Sequence, residues 1–161
     1  MDIFYHIVQN STEILMSNLS KEMIKEAKKS LKSDDVPVGA IIVRNGKIIS
    51  RGHNEKEKKK NSIKHAEIIA IEKACKKMKT WHLDECELYV TLEPCLMCCG
   101  AIIQSRIKKI YYGIESKRFG YVESIGTLFN EKNTHKMCEV INLKNEESLE
   151  ILQDFFKNKR M

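Results

Sequence analysis

Two short segments hold the residue types best suited to chemistry: His65-Ala66-Glu67 and Pro94-Cys95-Leu96-Met97-Cys98. Together they supply one imidazole and two thiols, a donor set suited to zinc that keeps one coordination position open. His-x-Glu alone arises often by chance, and Cys-x-x-Cys alone is moderately informative; their combination narrows the chemistry. Cys95 and Cys98 are three residues apart, so on a helix they share a face and can grip one ion. Both segments read as helix starts, where the positive end of the helix dipole favours the metal-binding thiolate. Glu67 would diverge from His65 along a regular helix, yet at a helix start its side chain still reaches a group bound to the metal. That placement suits a proton carrier better than a fourth ligand. Zinc lowers the pKa of its water to about 7, and a nearby carboxylate can take that proton and pass it to a leaving group.

Three other readings use the same residues. A structural zinc knot needs a fourth ligand, for which Cys99, Cys86, His53 and His82 are candidates, none with a second paired spacing. A thioredoxin-like redox pair has no need of the histidine-glutamate partner. Inert core cysteines are the third. Cys75, Cys86 and Cys138 lie scattered along apolar segments, as small buried hydrophobes do, and the set is not spaced as a disulfide framework.

A chain of 161 residues is of single-domain length, and with 42% apolar and 31% charged residues its composition is that of a soluble globular protein. No apolar run approaches a membrane span, and the N-terminus has no basic segment leading into an apolar one. The expected address is the cytoplasm. Lys and Arg number 28 against 22 Asp and Glu, a net charge of +6 that suits a polyanionic partner without proving one.

The elements that must position these residues can be read from periodicity. Residues 1–15 have no clear pairing with the rest of the chain and Met16 is itself a candidate start, so residues 1–19 read as an extension and 20–161 as the domain. From residue 20, Met23, Ile24, Ala27 and Leu31 mark one helical face, ended by Asp34-Asp35-Val36-Pro37. Residues 38–43 read as a buried strand, Asn45-Gly46 as a hairpin turn, and 47–50 as the start of the returning strand. A charged loop over 55–60, with lysines best read as solvated, precedes a second helix opening at Ser62. Its Ile68, Ile69, Ile71, Ala74 and Cys75 make it central. Strand 87–92 leads to a helix over 95–104, with Pro94 at its first turn. Strand 107–114, an irregular stretch over 115–133, a short strand at 138–143 and a helix over 146–159 complete the order. Strands alternating with helices after a hairpin imply a mixed sheet covered on both faces.

The His-x-Glu…Pro-Cys-x-x-Cys pattern is the signature of zinc deaminases. The chain resembles the zinc-dependent cytidine/deoxycytidylate deaminase superfamily, and within it the bacterial tRNA-specific adenosine deaminases. Beyond the signature, the likeness runs through Asp35-Val36-Pro37-Val38-Gly39-Ala40, Gly52-His53-Asn54, Leu88-Tyr89-Val90-Thr91-Leu92-Glu93, Gly100-Ala101, Ser105-Arg106-Ile107 and Asp154-Phe155-Phe156-Lys157. It spans roughly residues 20–160. The resemblance implies a cytidine-deaminase-like fold: a three-layer α/β/α sandwich with a mixed five-stranded sheet, assembled as a homodimer. It implies hydrolysis of wobble adenosine to inosine in an arginine tRNA anticodon, with the anticodon stem-loop as partner. It further implies one zinc per chain on His65, Cys95 and Cys98, with Glu67 as proton shuttle. Asn54 would hydrogen-bond the base, Val38 and Leu92 would flank it, and Phe155 and Phe156 would meet neighbouring nucleotides.

Lys64 and the stretch 114–120 depart from the family pattern, which leaves the RNA contacts of that stretch open. Asn54 can equally cap a turn, and Val38 and Leu92 can be plain core. Phe155 and Phe156 point about 100° apart on a helix, so at least one should leave the core. The competing function is a free-base or nucleoside deaminase acting on guanine or cytosine, which would share the whole metal site.

Overall fold

A computed structural model describes residues 2–129 and 138–160. Five strands, β1 (Gly39–Arg44), β2 (Lys47–His53), β3 (Cys86–Leu92), β4 (Lys109–Ile114) and β5 (Glu139–Asn142), form one sheet in the order β2-β1-β3-β4-β5. β1 runs antiparallel to β2 and β3, whereas β4 runs parallel to β3 and to β5. The sheet is therefore mixed. The hairpin between β1 and β2 turns on Asn45 (φ 50°) and Gly46 (φ 74°), the two positive dihedrals that a tight I′ turn requires.

Strand alternation divides the apolar residues between two layers. Ala40, Ile42, Leu88, Val90, Ile110 and Tyr112 pack with Ala66, Ala70 and Ala74 of α3 (Ala66–Met78) and with Cys99 and Ile102 of α4 (Leu96–Gln104). Their neighbours Ile41, Val43, Tyr89 and Tyr111 face the other way, onto Leu19 and Met23 of α1 (Asp2–Lys28). α5 (Glu146–Lys159) contacts β4 and α1. Helices thus cover both faces, as the alternating pattern requires. Of the residues expected to bury α3, Ile69, Ile71 and Ala74 do so, and Ile68 and Cys75 are half-buried.

The structure departs from the sequence reading at several places. α1 begins at Asp2 and not at residue 20; its first half turns Ile3, Phe4, Ile7 and Ile14 to solvent, so they share no apolar stripe with the core face. Leu31 is 45% exposed, because the α-helix gives way at Lys29–Ser33 to a 3₁₀ turn whose tighter winding rotates it out of the stripe. Residues Lys56–Lys59 form one short helical turn, α2, within the charged segment. The helix expected from Ser62 starts at Ala66, and Pro94 precedes the cap of α4 where a first-turn position was expected. The irregular stretch is described as far as residue 129; positions 130–133 lie outside the described residues.

Glu26 is a buried acid on the inner face of α1, bonded to His53 Nδ1 at 2.9 Å and to Lys29 Nζ at 2.8 Å; Glu55 reaches the other nitrogen of His53 at 3.4 Å. Burial opposes its ionisation, but the His53 and Lys29 bonds win and hold the carboxyl down to about 2. A folded-state value below the ordinary 4.5 means that the unfolded chain takes up the proton first as pH falls. The stabilisation, on the order of 3 kcal/mol, is therefore complete above about pH 5 and disappears between about 4.5 and 2. Urea melts of the wild type and Glu26→Gln should differ clearly at pH 5, differ less at pH 3 and converge only as the pH approaches about 2. A difference that stays constant would show that the pair contributes packing and not charge.

Candidate active site

The two chemical segments meet because two helices begin side by side against the central strands. His65 is the N-cap of α3 and Cys95 the N-cap of α4, both with extended backbone, and Cys98 follows in the first turn of α4. Neither cap residue uses its side chain to bond its own helix, so imidazole and thiol are free to face each other. The capping duty at α3 falls to Asn54, whose Oδ1 accepts the Ala66 N–H at 2.9 Å while its Nδ2 donates to Val36 O at 3.1 Å. This satisfies one of the orphan donors at the helix start.

The ligand atoms of His65, Cys95 and Cys98 all lie within 4.8 Å of one another. His65 Nδ1 is 3.6 Å from Cys95 Sγ and 3.5 Å from Cys98 Sγ. Zinc bonds of ~2.3 Å to sulfur and ~2.0–2.1 Å to nitrogen, opened to tetrahedral angles, separate N from S by ~3.6 Å. The donor set therefore fits zinc in both type and spacing. A bond from Cys98, aided by His65, holds the Cys95 thiol down to about 4. The same bond, followed by burial, pushes Cys98 up, and the bond to Cys95 raises His65.

Among the described residues no fourth ligand completes a structural knot. Cys99 is buried in the core with its thiol on Pro94 O at 3.5 Å, and Cys86 packs its sulfur against Met78. His53 is occupied by Glu26, and His82 stacks on Trp81 with ring centroids 3.7 Å apart. Burial pushes the thiols of Cys75, Cys86 and Cys138 up, as expected of inert cysteines. Glu67 sits in the first turn of α3, buried, with its carboxyl within hydrogen-bonding reach of Cys98; burial pushes its pKa up.

Val38 is buried and Leu92 half-buried, both in the core cluster that also holds Ala66 and Cys99. The two tail phenylalanines separate as the 100° rule requires. Phe155 is 9% exposed and lines a groove between α1 and α5 with Ile24, Lys28 and Lys159, whereas Phe156 is 46% exposed. The two rings meet edge to face at 5.3 Å. That groove contains none of His65, Glu67, Cys95 or Cys98.

Glu93 stands one residue before Pro94, in a segment to which the sequence alone attaches no role. It is buried, and burial opposes its charge, but bonds from the Ser124 hydroxyl and from the backbone of Glu123, Ser124 and Ser116 hold the carboxyl below the usual range. Apart from the Ser124 hydroxyl, its partners are main-chain amides of a distant loop, so no side-chain spacing announces them.

Residues 15–160 match the family described as MafB19-like deaminase. The chain is 42% identical over 140 residues to a tRNA-specific adenosine deaminase of Aquifex aeolicus (strain VF5), covering 87% of this chain and 93% of that protein. It is 43% identical over 141 residues to the tRNA-specific adenosine deaminase of Bacillus subtilis (strain 168), covering 87% and 88%. A solved structure from a study of A-to-I editing by tRNA:A34 deaminases at the wobble position superposes with a TM-score of 0.78 at 37% identity, covering 84% of this chain and 99% of that one.

Proposed function

The chain belongs to the tRNA-specific adenosine deaminases within the MafB19-like deaminase family, and on that premise we propose that it hydrolyses the wobble adenosine of an arginine tRNA anticodon to inosine. The observation that carries this reading is the meeting of His65 with Cys95 and Cys98, at 3.6 and 3.5 Å, beside the buried carboxyl of Glu67. His65 Nδ1 and the two sulfurs would hold one zinc per chain, which when bound would acidify water to a pKa of about 7. Glu67 takes a proton from the attacking water and delivers it to the exocyclic nitrogen as ammonia departs. Asn54 keeps α3 in place through one Nδ2 hydrogen and Oδ1; the second hydrogen of its amide is assigned to the base edge. The base, turned out of the loop, lies against Val38 and Leu92.

The protein acts in the cytoplasm as a homodimer; among the described residues no helix is long and apolar enough to cross a membrane. The net charge of +6 suits the phosphates of an anticodon stem-loop, and Phe156, with Phe155 edge-on behind it, offers a surface to a flanking nucleotide. Incubation with an arginine tRNA stem-loop should convert the wobble adenosine to inosine, read as guanosine on sequencing. Phe156→Ala should weaken this conversion by ~5-fold or more, the lower end of one base stack, with zinc and melting unchanged. Because Phe155 is buried, its removal would test the fold and not the contact. Deamination of free guanine or cytosine with no action on the stem-loop would establish the free-base reading instead.

A further inference from the structure

We propose that Glu93 is a positioning residue for the editing reaction, whose carboxylate holds the 116–124 segment against the metal centre and so presents Arg118 and Phe119 to the RNA. The proposal rests on the RNA reading above. Five donors converge on this one side chain. Oε1 accepts the Ser116 N–H at 3.1 Å and the Ser124 hydroxyl; Oε2 accepts the N–H groups of Val122 at 3.0 Å, Glu123 at 2.9 Å and Ser124 at 3.0 Å. A carboxylate with both oxygens so occupied, and 3% exposed, has no group left for substrate. Its effect must pass through the segment it holds.

That segment is tied directly to the ligand helix. Gly120 pairs with Cys95 in an isolated antiparallel bridge, and Tyr121 N–H donates to Pro94 O at 2.9 Å. Gly120 also leaves the space the carboxylate fills: a Cβ there would stand 2.3 Å from Glu93 Cδ and 2.5 Å from each of its oxygens. One and two residues before this bridge stand Phe119, 61% exposed, and Arg118, also exposed, with its guanidinium 5.1 Å from the Phe119 ring centroid. A cation over an open aromatic face is the combination that stacks a base and neutralises a phosphate. It stands next to the residue that pairs with a metal ligand.

The test is a double-mutant cycle on the anticodon stem-loop, using Glu93→Gln, Arg118→Ala and both together, each on zinc-loaded full-length protein. Glutamine keeps the shape beside Gly120 but turns an NH₂ toward two or three of the donors. Glu93→Gln should raise KM by ~10-fold with kcat within ~3-fold, and adding Arg118→Ala should raise it little further, because coupled residues do not add. Gly120→Ala should reproduce the KM effect by displacing the same carboxylate, and Glu93→Asp, which keeps both acceptors, should recover part of it. If Glu93→Gln does not fold, the Asp and Ala variants decide in its place. A wild-type KM in these variants, losses that multiply in the double variant, or loss of zinc in Glu93→Gln would each overturn the proposal. A wild-type protein that makes no inosine in the stem-loop would overturn the RNA reading and this role together, whereas wild-type editing with an unaltered Glu93→Gln overturns only the latter.

Discussion

Cys95→Ser is expected to leave the protein with almost no zinc and no measurable deamination, whereas Cys99→Ser keeps about one zinc per chain. The two sulfurs are four residues apart on one helix start, yet their surroundings are opposite. Cys95 is half-exposed, faces His65 Nδ1 at 3.6 Å, and has its thiol pulled below the ordinary range by Cys98 and His65; Cys99 is buried in the core, and burial pushes its thiol up. A serine at 95 offers a neutral hydroxyl where the ion needs a thiolate, and the remaining imidazole and thiol make a two-ligand site. Disturbing a group behind a ligand costs ~10–100-fold in affinity or activity, so losing a ligand should cost more, ~1000-fold or beyond. Metal content by mass spectrometry after dialysis against a chelator is the direct measurement. Cys138→Ser should also retain zinc. Equal zinc loss in Cys99→Ser would put a third thiolate on the metal as its fourth ligand and restore the structural reading.

The site was more legible than its support. His65, Glu67, Cys95 and Cys98 announce themselves because zinc chemistry restricts both residue type and spacing, and the fold brings the candidate ligand atoms of His65, Cys95 and Cys98 within 4.8 Å of one another. The apolar runs marked where β1, β3 and β4 lie along the chain, and α5 falls on the residues 146–159 read as the last helix. Where the reading failed, a local rule was overruled by something sequence spacing does not encode. The start of α3 is set by the Asn54 cap, twelve residues away from Ala66, and not by the polar residues at 61–62. Leu31 fits the 3.6-residue stripe but falls in a tighter turn. Glu93 stood inside a family-like segment with no role attached, because four of its five donors are backbone amides, which every loop possesses.

Glu67→Gln and Glu67→Ala should keep the zinc and the fold and lose deamination by at least ~100-fold, the usual scale of general acid–base catalysis. Glutamine preserves the volume and hydrogen-bonding reach of the side chain but cannot take a proton from water at neutral pH. Glu67 is 4% exposed, and the cost of burying its charge raises its pKa. A neutral amide there relieves that cost, so melting should not fall and a loss of rate cannot be assigned to unfolding. Alanine removes the carboxyl altogether and opens space that water can fill, so comparing the two variants separates proton transfer from exclusion of solvent. If both are equally inactive while holding one zinc per chain, the missing function is the proton relay. If activity survives in Glu67→Gln, the proton must travel by another route, and the buried carboxyl serves the helix start alone. If zinc is lost along with activity, Glu67 belongs with His65, Cys95 and Cys98 as a ligand, and the open coordination position on which the proposed hydrolysis depends does not exist.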